Sequence, residues 1–296
     1  MNPTATPPLR ALYDVPAPAK LNLFLHVVGR RADGYHLLQS VFMLIDWADT
    51  LHFERRDDSR LHRHDLNAAA PSLPEHDLVL RAALALQQAT GCTLGADIAL
   101  DKQLPQEAGL GGGSSDAATT LLALNRLWGL RLPLSTLMQL GARLGADVPF
   151  FLGGRHAWVQ GIGEQLQPLA LPPGRCLVVK PASGVSTPVL FASPHLQRDT
   201  KPVTIEDFVA GVAAHNACFA GGFGQNDLQP VAQALCPDID RVLQWLQARG
   251  LQGRMTGSGS AVFAPVEHDA DLTDLPPGWT ARHCNNLREH PLNGWR

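Results

Sequence analysis

The chain has 296 residues, 45% of them hydrophobic and 17% charged, with a net charge of −3. A chain of this length buries about 75% of its unfolded surface and favours two domains over one. The weak negative charge, with no basic tail, argues against a nucleic-acid partner. No apolar run reaches the roughly 18 residues of a membrane span, so no membrane partner is expected. Five cysteines (Cys92, Cys176, Cys218, Cys236, Cys284) are scattered without a Cys-x-x-Cys pair. That pattern suggests free thiols in a reducing compartment. The first residues lack a signal-like apolar stretch, so a cytoplasmic protein is expected. Only Lys20, Lys102, Lys180 and Lys201 among 24 basic residues are lysines, and Tyr13 and Tyr35 are the 2 tyrosines.

Residues 1–14 read as a Pro-rich disordered lead. Ala19 to Val28 alternates, with Leu21, Leu23, Leu25 and Val27 on one side and Lys20, Asn22, Phe24 and His26 on the other. This is a strand with one core face and one mostly polar face. A second strand is expected over Gln39–Leu44, then short edge strands and loop from Arg55 to His76. Helical spacing marks 77–89, 114–127 and 134–144, with a strand over 96–100 between the first two. The 114–127 helix opens on Ser-Ser-Asp, which is capping chemistry, and Gly145 closes the 134–144 helix. The Pro-rich stretch 169–174 divides the chain into domains 1–169 and 170–296. The second half reads strand 176–180, helix 205–215, helix 238–249, strands 253–255 and 261–264, and a last strand near 279–282. Two α+β domains follow.

The sharpest motif is Leu104-Pro-Gln-Glu-Ala-Gly-Leu-Gly-Gly-Gly-Ser-Ser-Asp-Ala-Ala118. Glycine lets backbone N–H groups approach a phosphate, and the start of the following helix adds partial positive charge. No Gly-Lys-Ser/Thr follows, so the loop is not a Walker A; nor does it fit the dinucleotide fingerprint. Lys20 and Asn22, two apart on a strand, project to one side; alone, such a lysine is more often a snorkelling edge residue. Asp147 sits between Gly145 and an apolar Val-Pro-Phe-Phe-Leu run. It reads as a capping aspartate or as a partly desolvated site carboxylate whose ionised form a nearby lysine would favour. Tyr35 and His36 follow the turn signal Asp33-Gly34. His62-Arg-His64 lies in polar surroundings with no third ligand in range, so no metal site is expected.

Pro105 to Ala118 resembles the second motif of the GHMP small-molecule kinases. Pro16-Ala-Pro-Ala-Lys-Leu-Asn-Leu with Asp33-Gly-Tyr-His resembles the first motif of one branch, whose members phosphorylate a cytidine-diphosphate-linked polyol on its 2-hydroxyl in non-mevalonate isoprenoid synthesis. Met255-Thr-Gly-Ser-Gly-Ser-Ala resembles the third motif, and Gly145-Ala-Asp-Val-Pro-Phe-Phe and Asn226-Asp-Leu follow the same branch. The resemblance spans about residues 15–285. It implies an N-terminal domain like ribosomal protein S5 domain 2, a ferredoxin-like C-terminal domain, and ATP as phosphoryl donor with Mg²⁺ of unassigned ligands. Lys20 and Asp147 would form the catalytic pair, with Asp147 as base or orienting group. Lys102, Pro105, Gly109, Leu110, Gly111, Gly112, Gly113, Ser114 and Ser115 would bind ATP. The small-molecule substrate would meet Asn22, Tyr35, His36, Thr187 and Phe191, with Tyr35 and Phe191 stacking on the cytosine. Gly257, Ser258 and Gly259 would close the phosphate side.

Two residues depart from the pattern. Glu107 precedes the phosphate loop and must point away from ATP or help hold Mg²⁺. Asp77 replaces the usual asparagine of the adenine pocket. Two other readings stand beside this one: another GHMP kinase of the homoserine or mevalonate type, and a non-catalytic S5-like nucleic-acid-binding protein. The oligomeric state is open.

Overall fold

The computed structural model describes residues 9–67, 73–215, 218–219 and 222–295. Two long strands organise the first half. Strand β1 (Ala11–Arg30) pairs antiparallel with β2 (His36–Arg56) along nearly its whole length. The second edge of β2 is shared: its start pairs with β5 (Ala157–Gln160) and its end with β4 (Gly95–Asp101). Strands β3 (Leu61–Asp65) and β6 (Gln165–Pro168) complete this six-stranded sheet. Helix α1 (Leu78–Thr90) connects the parallel pair β3 and β4. It packs with α2 (Gly112–Leu127), α3 (Leu134–Leu144) and the short α4 (Val148–Gly153) over one face of the sheet.

The second half has an antiparallel four-stranded sheet in the order β10-β7-β9-β8. Its strands are β7 (Arg175–Lys180), β8 (Arg254–Met255), β9 (Val262–Pro265) and β10 (Thr280–Asn285). Helices α5 (Thr187–Ala192), α6 (Ile205–His215), α7 (Gln229–Leu235) and α8 (Asp238–Gln247) lie between β7 and β8 in the chain. Leu177 and Val179 of β7 pack with α7 and α8, whereas Cys176 and Val178 pack against Leu21, Phe24 and Met43 of the first sheet. The two sheets therefore share a core. After β10 the chain returns to the first half, where Leu292 joins the helix-side core and Trp295 lies 5.1 Å from the Arg126 guanidinium.

The α+β class stands, with several corrections. Residues 1–8 lie outside the described residues, but Ala11 to Asp14 already belong to β1 and not to a lead. Strict alternation in β1 fails because its register slips between Pro18 and Lys20 and again between Asn22 and Leu25. Such bulges re-aim side chains, and Lys20, Asn22 and His26 are all buried alongside the leucines. The expected second strand is much longer than 39–44, and the 55–76 stretch contains the end of β2 and all of β3. Residues 68–72 of that stretch lie outside the described residues. Gly145 follows α3 in extended backbone, not in a left-handed cap. The β5–β6 hairpin, α4, α5 and α7 carry too few residues each to show a period.

His156 enters the core just before β5. Its Nδ1 accepts the Leu44 N–H at 3.2 Å, and burial pushes the imidazole down to about 4 from its ordinary 6.5. Between those values the unfolded chain binds a proton that the native state refuses, so stability is full above about pH 6.5 and falls as pH drops toward 4. The loss can reach about 3 kcal/mol. Urea unfolding at pH 7 and pH 4.5 should show a smaller acid-induced loss in His156→Gln than in wild type; an equal loss would exclude this residue as a source.

Candidate active site

Lys20 and Asn22 lie between two of the register slips of β1, 4% and 2% exposed. The Lys20 ammonium donates to Asn22 Oδ1, lies 3.7 Å from Asp147 Oδ2 and stands 4.8 Å from the centre of the Phe42 ring. Asn22 is fixed by its N–H donating to Thr256 Oγ1 at 2.8 Å and its Nδ2 donating to Ser40 Oγ at 2.9 Å. Burial pushes the Lys20 ammonium down, and the Asp147 carboxylate opposes this. Asp147 precedes α4 at the capping position, with Pro149 in the first turn, yet its side chain makes no capping bond. Its carboxylate is instead 30% exposed on the cavity wall beside Lys20.

The glycine loop runs under this pair. Gly109 has φ +71°, and a Cβ there would stand 2.2 Å from the Thr256 carbonyl oxygen. Gly111 has φ +72°, and its Cβ would press on the Phe151 ring at 3.0 Å and Lys20 Cγ at 3.2 Å. Both positions need glycine for conformation and for close approach. Gly111, not Ser-Ser-Asp, occupies the capping position of α2, and no side chain caps the first turn. The backbone N–H groups at the start of α2 are thus left without the partner that capping would supply.

The second half closes on the same loop. Ser260 N–H donates to the Glu107 carbonyl at 3.0 Å and Ala261 N–H to the Ala108 carbonyl at 3.3 Å. Asn226 Nδ2 holds the 255–257 turn by donating to the Met255 and Gly257 carbonyls at 2.8 and 2.9 Å. Thr187 donates to Ser258 Oγ at 2.7 Å, tying α5 to the third glycine motif.

These approaches form one cavity of about 700 Å³. Lys20, Asn22, Lys102, Pro105, Gly109, Leu110, Gly111, Gly112, Gly113, Ser114, Asp147, Thr187, Phe191, Gly257 and Ser258 line it. Four expected site residues do not. Ser115 is buried and donates to the Pro18 carbonyl at 2.7 Å. Gly259 sits against Met255. Tyr35 is 59% exposed at the end of the β1–β2 turn. His36 adjoins the cavity through Phe191, on which it stacks at 5.0 Å and 28°. One face of Phe191 is therefore taken by His36.

Lys102 differs most from a free phosphate ligand. Its ammonium bonds both Asp49 and Asp116, the latter at 2.7 Å, and all three side chains are buried. Burial opposes the Lys102 charge, but the Asp116 and Asp49 carboxylates outweigh it and push the ammonium up. Asp116 is pushed up to about 8, chiefly by burial. Glu107 sets its carboxylate against Gly184 while still lining the cavity. Asp77 caps α1 by accepting the Leu80 N–H at 3.1 Å and pairs with Arg63 at 3.0 Å. His62 and His64 lie on β3, not in a loop. Its parallel neighbour β4 brings Asp97 within 3.1 and 3.6 Å of them, so the expectation of no third group in range fails. Arg56 also holds that carboxylate, at 2.8 Å.

Several participants were invisible in spacing. Asp49 gave no signal and Asp116 read only as part of a capping Ser-Ser-Asp, because their partner Lys102 is distant in sequence. Ser40 and Thr256 are ordinary residues until the fold brings them to Asn22. Asn226 lay in a quoted motif but carried no assigned role.

Comparisons with known proteins agree with this arrangement. Residues 77–155 match the family described as GHMP kinases N terminal domain, and residues 212–276 match GHMP kinases C terminal. A 4-diphosphocytidyl-2-C-methyl-D-erythritol kinase of Polaromonas sp. JS666 is 61% identical, over 97% of this chain and 95% of its own. A crystal structure of 4-(cytidine 5'-diphospho)-2C-methyl-D-erythritol kinase is 35% identical with a TM-score of 0.77, covering 92% of this chain and 98% of its own. The homoserine kinase of Cytophaga hutchinsonii, at 16% identity and a TM-score of 0.66 over 98% of both chains, shares the fold.

The buried triad gives Lys102 a structural role that can be measured. Lys102→Met leaves two buried carboxylates without their cation, and removing one partner of such a group costs about 3–5 kcal/mol. Urea unfolding should report a loss of that size; a stability within 1 kcal/mol of wild type (roughly the scatter of a surface substitution) would reduce Lys102 to a surface-like contact.

Proposed function

The chain belongs to the 4-diphosphocytidyl-2-C-methyl-D-erythritol kinases of the GHMP kinase family, and from this premise we propose how its residues carry out the transfer. The phosphoryl donor is ATP, as the kinase family implies. The acceptor is the 2-hydroxyl of the cytidine-diphosphate-linked polyol. The observation that carries the reading is the Lys20–Asp147 pair, 3.7 Å apart on the wall of the cavity that the glycine loop and the start of α2 also line.

ATP lies with its phosphates along Gly109–Ser114, where uncapped backbone N–H groups and the helix start offset their charge. A weak net charge fits this mode of holding phosphate, which needs no large basic field. Asp147 accepts the proton of the attacking hydroxyl as its oxygen bonds the γ-phosphorus. The bond from that phosphorus to the bridging oxygen breaks, and ADP leaves. Lys20 holds Asp147 in place and offsets its charge from 3.7 Å. A positioned base of this kind contributes roughly 10²–10⁴ in rate, and positioning with charge neutralisation supplies the remainder.

Mg²⁺ bound with ATP would neutralise charge on its phosphates. Among the described cavity-lining groups, the Asp116 carboxylate suits a hard cation: its Oδ1 is buried without a hydrogen-bond partner. Tyr35, exposed at the turn, stacks on the cytosine, and His36 bonds its edge beside Phe191 and Thr187. Such stacking is worth about 1–3 kcal/mol per base. We place the protein in the cytoplasm, on its five free thiols. Among the described residues no helix is long and apolar enough to cross a membrane.

The test is phosphate transfer from labelled ATP to the cytidine-diphosphate polyol, with homoserine and mevalonate as controls. Wild type should use only the first. Asp147→Asn should lower kcat by about 10²–10⁴ with little change in the KM for ATP. Near-wild-type turnover in that variant would reduce Asp147 to a structural aspartate.

A further inference from the structure

Arg198 lies in the segment after α5 and commits four of its five guanidinium N–H donors to fixed acceptors. Nη2 donates to the Phe191 and Ser193 carbonyls at 3.0 and 2.7 Å, and Nη1 to the Leu196 carbonyl at 3.0 Å. Nε points across to the first half and bonds His36 Nε2 at 3.0 Å. One side chain thus joins the end of the helix carrying Thr187 and Phe191 to the start of the strand carrying His36.

The chemistry of this bond has a direction. A guanidinium is always protonated and offers no lone pair, so His36 Nε2 must accept. A neutral imidazole that accepts at Nε2 carries its proton on Nδ1. No described residue bonds His36 Nδ1, which leaves it to donate. We infer that Arg198 is a positioning residue of the base subsite: it fixes His36 as the Nδ1–H tautomer against Phe191, so that His36 offers one N–H donor to an acceptor of the base, O2 or N3 of a cytosine. This rests on the proposed role of His36 at the cytosine edge.

The surrounding charges favour the same state. Arg30 stands directly across the β1–β2 pair from His36, and Arg31 with Asp33 forms an ion pair at 2.7 Å in the connecting turn. Burial, then Arg198 and Arg30, push the His36 imidazole below its ordinary value. Without Arg198 the ring could exchange tautomers, and the Nε2–H form would present a lone pair where the base requires a donor.

The experiment uses the full chain in three forms: wild type, Arg198→Met, and Arg198→Lys, which keeps the charge but not the fork. In wild type, ¹⁵N spectra should show His36 Nε2 as the unprotonated nitrogen and a KM for the cytidine substrate that is flat between pH 6 and 8. Arg198→Met should raise that KM about 10-fold at pH 8, the size expected for one net hydrogen bond. Its kcat and its KM for ATP should stay within about 3-fold, well inside that effect. The variant's KM should fall again as pH drops through roughly 6.5, because the imidazolium regains a proton on Nδ1. Arg198→Lys should lie between the two. A wild-type spectrum with Nε2 protonated overturns the inference, whether or not either variant folds. So does a KM in Arg198→Met that is unchanged, or raised equally at every pH. A wild type that fails to phosphorylate the cytidine substrate instead removes the functional reading itself.

Discussion

Lys20 is an ammonium on a strand buried along both faces, and the cavity is built around keeping it charged there. Taking such a group out of water costs several kcal/mol unless partners compensate. Asn22 accepts from it, Asp147 offsets its charge from 3.7 Å, and the Phe42 ring faces it from 4.8 Å. None of these partners is adjacent in sequence to another. The register slips in β1 aim Lys20 and Asn22 together, α4 begins at Asp147, and β2 supplies Phe42 and Ser40. The stem of Lys20 also sets the limit on the glycine loop, since any Cβ at Gly111 would press on it.

The same strand joins the halves of the molecule. On the side of β1 away from β2, the Lys20 N–H donates to the Leu110 carbonyl, and Leu25 exchanges hydrogen bonds with Gln225 and Asp227. The Arg254 guanidinium donates to the Leu23 and Phe223 carbonyls at 2.6 and 2.7 Å. Thus the edge that carries Lys20 is sealed by the glycine loop at one point and by the second half at the others, which leaves no unpaired strand edge beside the reacting groups. Thr187, Ser258 and Arg198 extend this closure to the opposite wall.

Some of this was legible before folding. Helices α1, α2 and α3 show a clear apolar period, and the density of glycine at 109–113 marked an anion-binding loop because no ordinary turn needs so many. Lys20 and Asn22 were paired by their spacing alone. What stayed hidden depended on contacts between distant residues. The bulges in β1 arise from pairing with β2 and leave no trace in the alternation of leucines. Lys102 looked like a free cation because Asp49 and Asp116, which neutralise it, lie 53 and 14 residues away. The edge position of β3 hid the His62–His64–Asp97 grouping, since Asp97 arrives from the far side of α1. Arg198 was one arginine among many until α5 and β2 were brought to it.

The central claim is that Lys20 and Asp147 act as one unit. A double-mutant cycle on kcat with Lys20→Met and Asp147→Asn tests it directly, because groups that work together lose function non-additively. Each single variant should lose most of the turnover, and the double variant should fall within about 3-fold of the worse single, as expected when either loss alone already disables the shared unit. A double variant whose loss equals the product of the two single losses would contradict the pairing.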